Sequence, residues 1–77
     1  MPTVFEIFGM RFFFFANEHQ PIHIHVVKGD DSAKIAIDPE IAVVYNRGLK
    51  PKDLKRAVEL TKMYKDDIIE KWHEFHG

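Results

Sequence analysis

The chain has no cysteine, only four glycines and four prolines, and no long hydrophobic segment. Without cysteine, neither a disulfide nor a thiolate metal site can support the fold, so the usual zinc-finger ligand sets are excluded. The apolar stretch Met10 to Ala16 contains Arg11 and lies between Glu6 and Glu18. It is therefore shorter than the ~20 apolar residues that a membrane-spanning helix needs. We expect a cytoplasmic protein with no signal peptide and no membrane span.

The chain also lacks a strong charge of one sign, since its formal net charge is −1 at pH 7. This balance does not indicate nucleic-acid binding, although such binding stays open. The charge is unevenly distributed, because the segment 47–65 carries seven basic and two acidic residues. A solvated helix face explains this local excess, and so does a contact with phosphate or with an acidic partner.

The aromatic residues are numerous for a chain of 77 residues, with seven Phe, two Tyr and one Trp. We expect a single domain over residues 1–77, and a domain of this size buries only about 60–65% of its unfolded surface. A core this small cannot hide all of the aromatic rings. We therefore expect a homodimer or small homo-oligomer, or a partner protein that covers the exposed rings.

Hydrophobic periodicity predicts an α+β fold in which one long C-terminal helix covers one face of an antiparallel sheet. Pro51 suits the first turn of that helix, which is predicted over residues 51–75. A break near residues 65–67 stays open, because Asp is a poor helix-interior residue. The sheet has four predicted strands and an optional fifth. These strands are 3–8, 10–15, 22–28 and 33–37, with 41–45 as the fifth.

Three of the five histidines lie within the stretch Asn17 to Val26, directly after the phenylalanine run. On a strand that starts near Ile22, His23 and His25 share one face, with Cα atoms about 6.5–7 Å apart. Their imidazoles can converge on one small object, and His19 on the preceding loop can close over the same point. Imidazole is a good ligand for zinc and related ions. The candidate metal ligands are His19, His23 and His25, and zinc is the candidate cofactor.

The same histidines also have two metal-free interpretations. In the first, they only hydrogen-bond on a half-buried sheet face. In the second, they act as general acids and bases at a phosphodiester, since histidine titrates near neutral pH. Arg11 or Arg47 would then stabilise the phosphate charge. The candidate catalytic residues are Glu18, His19, His23 and His25. No recognised catalytic motif is present, so the sequence leaves open whether the protein is an enzyme.

Several segments occur in an order that points to a known family. They are the opening 1–5, the run 9–14, the string Asn-Glu-His-x-Pro-x-His-x-His-Val at 17–26, the pair 33–34 and the Trp-His-Glu at 72–74. Together they resemble the small bacterial domain-of-unknown-function family numbered forty-one sixty. Ile22 departs from the pattern, because the family commonly carries a second proline there. The motif positions that match are Asn17, Glu18, His19, Pro21, His23, His25 and Trp72.

The resemblance implies a short bacterial protein with no settled activity. It implies a suspected place in a toxin–antitoxin-like pair, with a partner from a neighbouring gene, and it assigns no role to any residue. Asn17 joins Arg11 and Arg47 as a candidate binding residue. We expect an interaction or regulatory module of such a pair, with a small ribonuclease or a zinc-binding domain as the alternatives.

Overall fold

The computed structural model describes residues 3–76 as five strands followed by two helices. The elements are β1 (Thr3–Ile7), β2 (Met10–Phe13), β3 (His23–Lys28), β4 (Asp31–Ala36), β5 (Ala42–Arg47), α1 (Pro51–Met63) and α2 (Lys65–His76). The strands form one sheet in the order β1-β2-β3-β4-β5, and all neighbours are antiparallel. The predicted α+β class is confirmed, and the optional fifth strand is present.

The strand register separates the side chains of β3 into two sets. Phe12 pairs with Val26, and Ile24 pairs with Ile35, so these four side chains lie on the same face of the sheet. They are fully buried and belong to one hydrophobic cluster that also contains residues of both helices. The helix residues in this cluster are Ala57, Leu60, Ile68 and Trp72. The alternate residues of β3, His23 among them, face the other side, as the period-two pattern predicts.

The prediction of one long helix was wrong, because the helical segment is in two parts. α1 ends at Met63, and Tyr64 has φ −105° and ψ 19°, in the bridge region between helix and strand. α2 then starts with its own acidic first turn, formed by Asp66 and Asp67. These carboxylates stabilise a helix N-terminus and are unfavourable in a helix interior, so they explain a restart at this point. No helix within residues 3–76 is long and apolar enough to cross a membrane.

The chain between β2 and β3, residues 14–22, is the segment that builds the candidate site. β2 ends at Phe13 rather than at Phe15, because the backbone N–H of Phe15 donates to the Glu18 carboxylate over 2.7 Å instead of to a neighbouring strand. At the other end, the Ile37 N–H donates to the Ile22 carbonyl over 2.8 Å. The Glu18 carboxylate therefore closes a turn at the start of the segment, and the Ile22 carbonyl connects its end to the residue that follows β4.

Candidate metal centre

The Glu18 carboxylate brings the two strand histidines together. Its Oε1 accepts the hydrogen bond from the Phe15 backbone, and its Oε2 contacts Nε2 of both His23 and His25. The distance from Oε2 to Nε2 of His25 is 2.6 Å. All three ligand atoms lie within 4.8 Å of one another, and the histidines are only 6% and 7% exposed. We call Glu18, His23 and His25 the His/Glu cluster.

A backbone carbonyl fixes the tautomer of His23. Its Nδ1 lies 2.9 Å from the carbonyl oxygen of Pro21, which can only accept, so Nδ1 carries a hydrogen and donates it. In the neutral ring, the lone pair is then on Nε2 and faces the Glu18 carboxylate. A lone pair facing a carboxylate oxygen needs a cation between them, either a proton or a metal ion. Histidine ligands of metals commonly donate their second ring N–H to a backbone carbonyl in this way.

The protonation states of the cluster also suit a cation. Desolvation works to raise the pKa of Glu18, but the contacts of its carboxylate with His25 and His23 and the hydrogen bond from the Phe15 backbone outweigh it and hold that pKa below its ordinary value. Desolvation, together with the charges of His23 and Lys34, lowers the pKa of His25 although the neighbouring Glu18 works to raise it. The favoured forms are therefore an ionised carboxylate and a neutral imidazole at His25. Metal ions bind these forms, since a proton competes for the same atoms.

Aromatic rings hold the two imidazoles in place. The His25 ring packs against Phe13 and Phe15, with centroid distances of 5.6 and 4.6 Å. The His23 ring lies 5.2 Å from Trp72 of α2. The His76 ring, near the end of α2, lies with Nε2 3.1 Å from the Phe15 carbonyl oxygen. The end of α2 and the segment 14–22 thus enclose the cluster from two sides.

A shallow hollow of about 280 Å³ adjoins the cluster on the side of α2. Its lining residues are Glu18, His19, Gln20, Trp72, His73 and His76. Glu18 belongs to both the hollow and the cluster, so a small ligand in the hollow would lie next to the cluster. The structure therefore places a solvent-accessible hollow beside the carboxylate of the cluster.

The structure brings together only some of the site residues predicted from the sequence. Of the three candidate metal ligands, His23 and His25 converge, whereas His19 is exposed and lines the hollow instead. Glu18, a candidate acid or base in the sequence, supplies the third ligand atom. Trp72 was selected only by the family resemblance, and it contacts His23. The sequence places Glu18 close to the histidines but carries no periodic signal that marks it as a ligand, because it lies in an irregular segment.

The three candidate binding residues lie outside the cluster. Arg11 lies over the Phe13 ring at 4.9 Å, and Arg47 lies over the Tyr45 ring at 4.5 Å. Asn17 is exposed in the turn just before Glu18. Arg11 and Arg47 are thus on the sheet, while Asn17 belongs to the segment that carries the carboxylate.

The fold and the site define a small α+β domain with a two-histidine, one-carboxylate cluster. The chain matches the family model described as domain of unknown function (DUF4160) over residues 9–73, so it belongs to that family, as the motif string predicted. The matched range contains the whole His/Glu cluster. Comparisons with curated proteins and with solved structures gave no match. The family description names no activity, so the toxin–antitoxin-like role stays a prediction.

Proposed function

We propose that the protein binds a divalent transition-metal ion of the zinc type through the His/Glu cluster. The observation that carries the proposal is the convergence of two Nε2 atoms on one carboxylate oxygen. The other ring nitrogen of His23, Nδ1, donates to the Pro21 carbonyl. Two imidazoles and one carboxylate form a ligand set that zinc uses in catalytic sites. Harder ions such as Mg²⁺ and Ca²⁺ prefer oxygen ligands and suit this set less well.

The movement needed to admit such an ion is small. Ligands placed ~2.0–2.1 Å from a tetrahedral zinc ion lie about 3.3 Å from one another. Nε2 of His25 and Oε2 of Glu18 are 2.6 Å apart, so this pair must separate by less than about 1 Å. Glu18 lies in the segment 14–22 rather than on a strand, so it can withdraw while both histidines keep their places.

Three protein ligands leave one tetrahedral position for water or a substrate. Zinc lowers the pKa of a bound water to ~7, so the chemistry that such a site would support is hydrolysis. A metal-free ribonuclease is less favoured by the geometry. Both Nε2 atoms contact Glu18, and Nδ1 of His23 donates to Pro21, so His23 offers no free nitrogen to a substrate.

Metal analysis tests the proposal directly. Untagged protein dialysed against EDTA should bind zinc with one ion per chain in titration calorimetry. His23→Ala, His25→Ala and Glu18→Gln should each weaken that binding, whereas Glu59→Gln, in an exposed residue of α1, should not. Zinc binding that is absent from the parent, or equal in the cluster variants and in the control, would refute the proposed metal site.

Self-association is a second candidate, favoured by the exposed edge strand β5. Val43 and Val44 are 40% and 55% exposed, and β5 pairs with β4 along one side only. Apolar edge strands are templates for pairing, so we propose a homodimer formed by two copies of β5. Light scattering should give twice the chain mass, and Val44→Lys should give a monomer. A monomeric parent would refute the pairing, and dimers that persist in Val44→Lys would move the interface elsewhere.

A further inference from the structure

The sheet face that carries the histidines also carries basic side chains. The register places its residues in two adjacent rows across β2 to β5. The first row is Arg11, Val27, Ser32 and Arg47, and the second row is Phe13, His25, Lys34 and Tyr45. We call Arg11, Lys34 and Arg47 the basic face. None of the three belongs to the hydrophobic core cluster on the other side of the sheet.

Two of these cations are held in fixed positions by aromatic rings. The guanidinium of Arg11 lies 4.9 Å from the centre of Phe13, and that of Arg47 lies 4.5 Å from the centre of Tyr45. Stacking orients a guanidinium group and leaves its N–H edge available. That edge matches two phosphate oxygens, so both arginines are prearranged to bind phosphate.

The basic face has an excess of positive charge that its own surroundings do not neutralise. Within residues 3–76, carboxylates form ion pairs only with His23, His25 and Lys28, so no carboxylate lies within 4.0 Å of the three cations. Glu6 is opposite Arg11 in the β1–β2 register and is exposed. Three cations on one face with no carboxylate within 4.0 Å of them indicate an anionic ligand.

The basic face leads directly to the His/Glu cluster. Lys34 is the cross-strand partner of His25, so the two residues are about 5 Å apart. Phe15 is 43% exposed and lies edge-on to the His25 ring, and Tyr45 in β5 is half-buried. A ligand on this face would therefore meet cations and exposed aromatic surface next to the buried cluster.

We propose that the basic face binds single-stranded nucleic acid, with its phosphates on Arg11, Lys34 and Arg47 and its bases against Phe15 and Tyr45. A positive surface with aromatic rings is the usual platform for single strands, because unpaired bases can stack on the rings. A duplex hides its bases and needs an element that enters a groove, which a flat sheet face does not supply. The idea that this nucleic acid is a substrate rests on the proposed metal site, whereas its binding to the three cations does not.

Fluorescence anisotropy with the EDTA-dialysed protein tests this binding separately from the metal. The probes are a labelled short oligouridylate and the matching oligothymidylate, which distinguish RNA from DNA. Three phosphate contacts predict a slope of about −2 for log affinity against log salt, hence about 20-fold weaker binding at 200 than at 50 mM salt. The triple variant Arg11→Gln, Lys34→Gln, Arg47→Gln should lose the binding.

The matched control removes three exposed lysines from α1, at Lys52, Lys55 and Lys62, and changes the net charge equally. It should bind as the parent does. Lys34→Gln alone should reduce the slope of log affinity against log salt by about 0.7. This single variant replaces the triple variant in the test if the triple variant does not fold. The inference is overturned if the parent does not bind, if the control loses binding equally, or if a duplex or polyglutamate competes as well as the single strand. Zinc calorimetry on the same samples shows whether the metal site fails independently.

Discussion

Glu18→Gln is the most informative change in this protein, because it keeps the side-chain shape and removes the carboxylate charge of the His/Glu cluster. The amide oxygen of the variant can still accept the hydrogen bond from the Phe15 backbone, so the segment 14–22 should stay folded. The amide is a poor zinc ligand, so the effect should fall on metal binding. Removing one charged partner of a buried pair costs about 2–5 kcal/mol, and about 2.7 kcal/mol is a 100-fold weaker Kd.

Thermal unfolding converts this difference into a measurable shift. Zinc at 100 times its Kd stabilises the parent by about 2.7 kcal/mol, and each kcal/mol raises the Tm of a domain this small by roughly 4–8 °C. The parent Tm should therefore rise by about 11–22 °C. A 100-fold weaker variant in the same zinc concentration gains only about 0.4 kcal/mol, or about 2–3 °C. Circular dichroism with and without zinc, followed by EDTA, measures both shifts.

The matched control for this experiment is Glu59→Gln, which removes an exposed carboxylate of α1 outside the cluster and should keep the parental shift. An equal zinc-induced shift in the parent and in Glu18→Gln would refute the assignment of Glu18 as a ligand. A shift that EDTA does not reverse would show that zinc acts on the protein by another route, such as irreversible association.

Three further predictions concern the folded chain itself. Acid should destabilise the metal-free protein. Burial lowers the pKa of His25, so the unfolded state binds this proton first as the pH falls below 6.5, and the free energy of unfolding decreases. The lowered pKa of Glu18 extends this decrease in the free energy of unfolding below pH 4.5. Urea unfolding against pH measures this, and His25→Gln should flatten the upper part. Trp72→Ala should cost about 3–5 kcal/mol in the same assay, whereas the exposed Phe75→Ala should cost under about 0.5 kcal/mol. Gly48→Ala should cost about 1–3 kcal/mol, because Gly48 has φ +98° and its added Cβ would clash with the side chain of Asp31 in β4.

The parity of β3 was predictable because it is a local property of the strand. Alternation alone places His23 and His25 on one face of the strand and Ile24 and Val26 on the other face, wherever the neighbouring strands lie. The helix break was harder to predict, since the apolar residues recur through it and only the two aspartates mark a restart. The role of Glu18 depends on the return of segment 14–22 over β3, which no periodicity encodes.

The neighbour of His25 depends on the exact hairpin register. The strands predicted over 22–28 and 33–37 leave residues 29–32 as the turn between them. Such a turn pairs residue 28 with residue 33 and would have placed Ala36 opposite His25. The observed turn contains only Gly29 and Asp30, with Gly29 at φ +60°, and it pairs Lys28 with Asp31. This shorter turn places Lys34 beside His25. The link between the basic face and the cluster therefore results from a difference of two residues in one turn.

The position of the His/Glu cluster connects metal binding with the stability of a small domain. Segment 14–22 has no strand of its own, and Glu18 ties it to His23 and His25, while His76 ties it to the end of α2. A metal ion at the cluster would replace two hydrogen bonds with coordinate bonds between the segment and β3. Because the unfolded chain holds no such site, that binding free energy would add to folding free energy. In a domain without disulfides, a coordinate bond of this kind adds most to the folding free energy in a segment that makes few hydrogen bonds to the sheet.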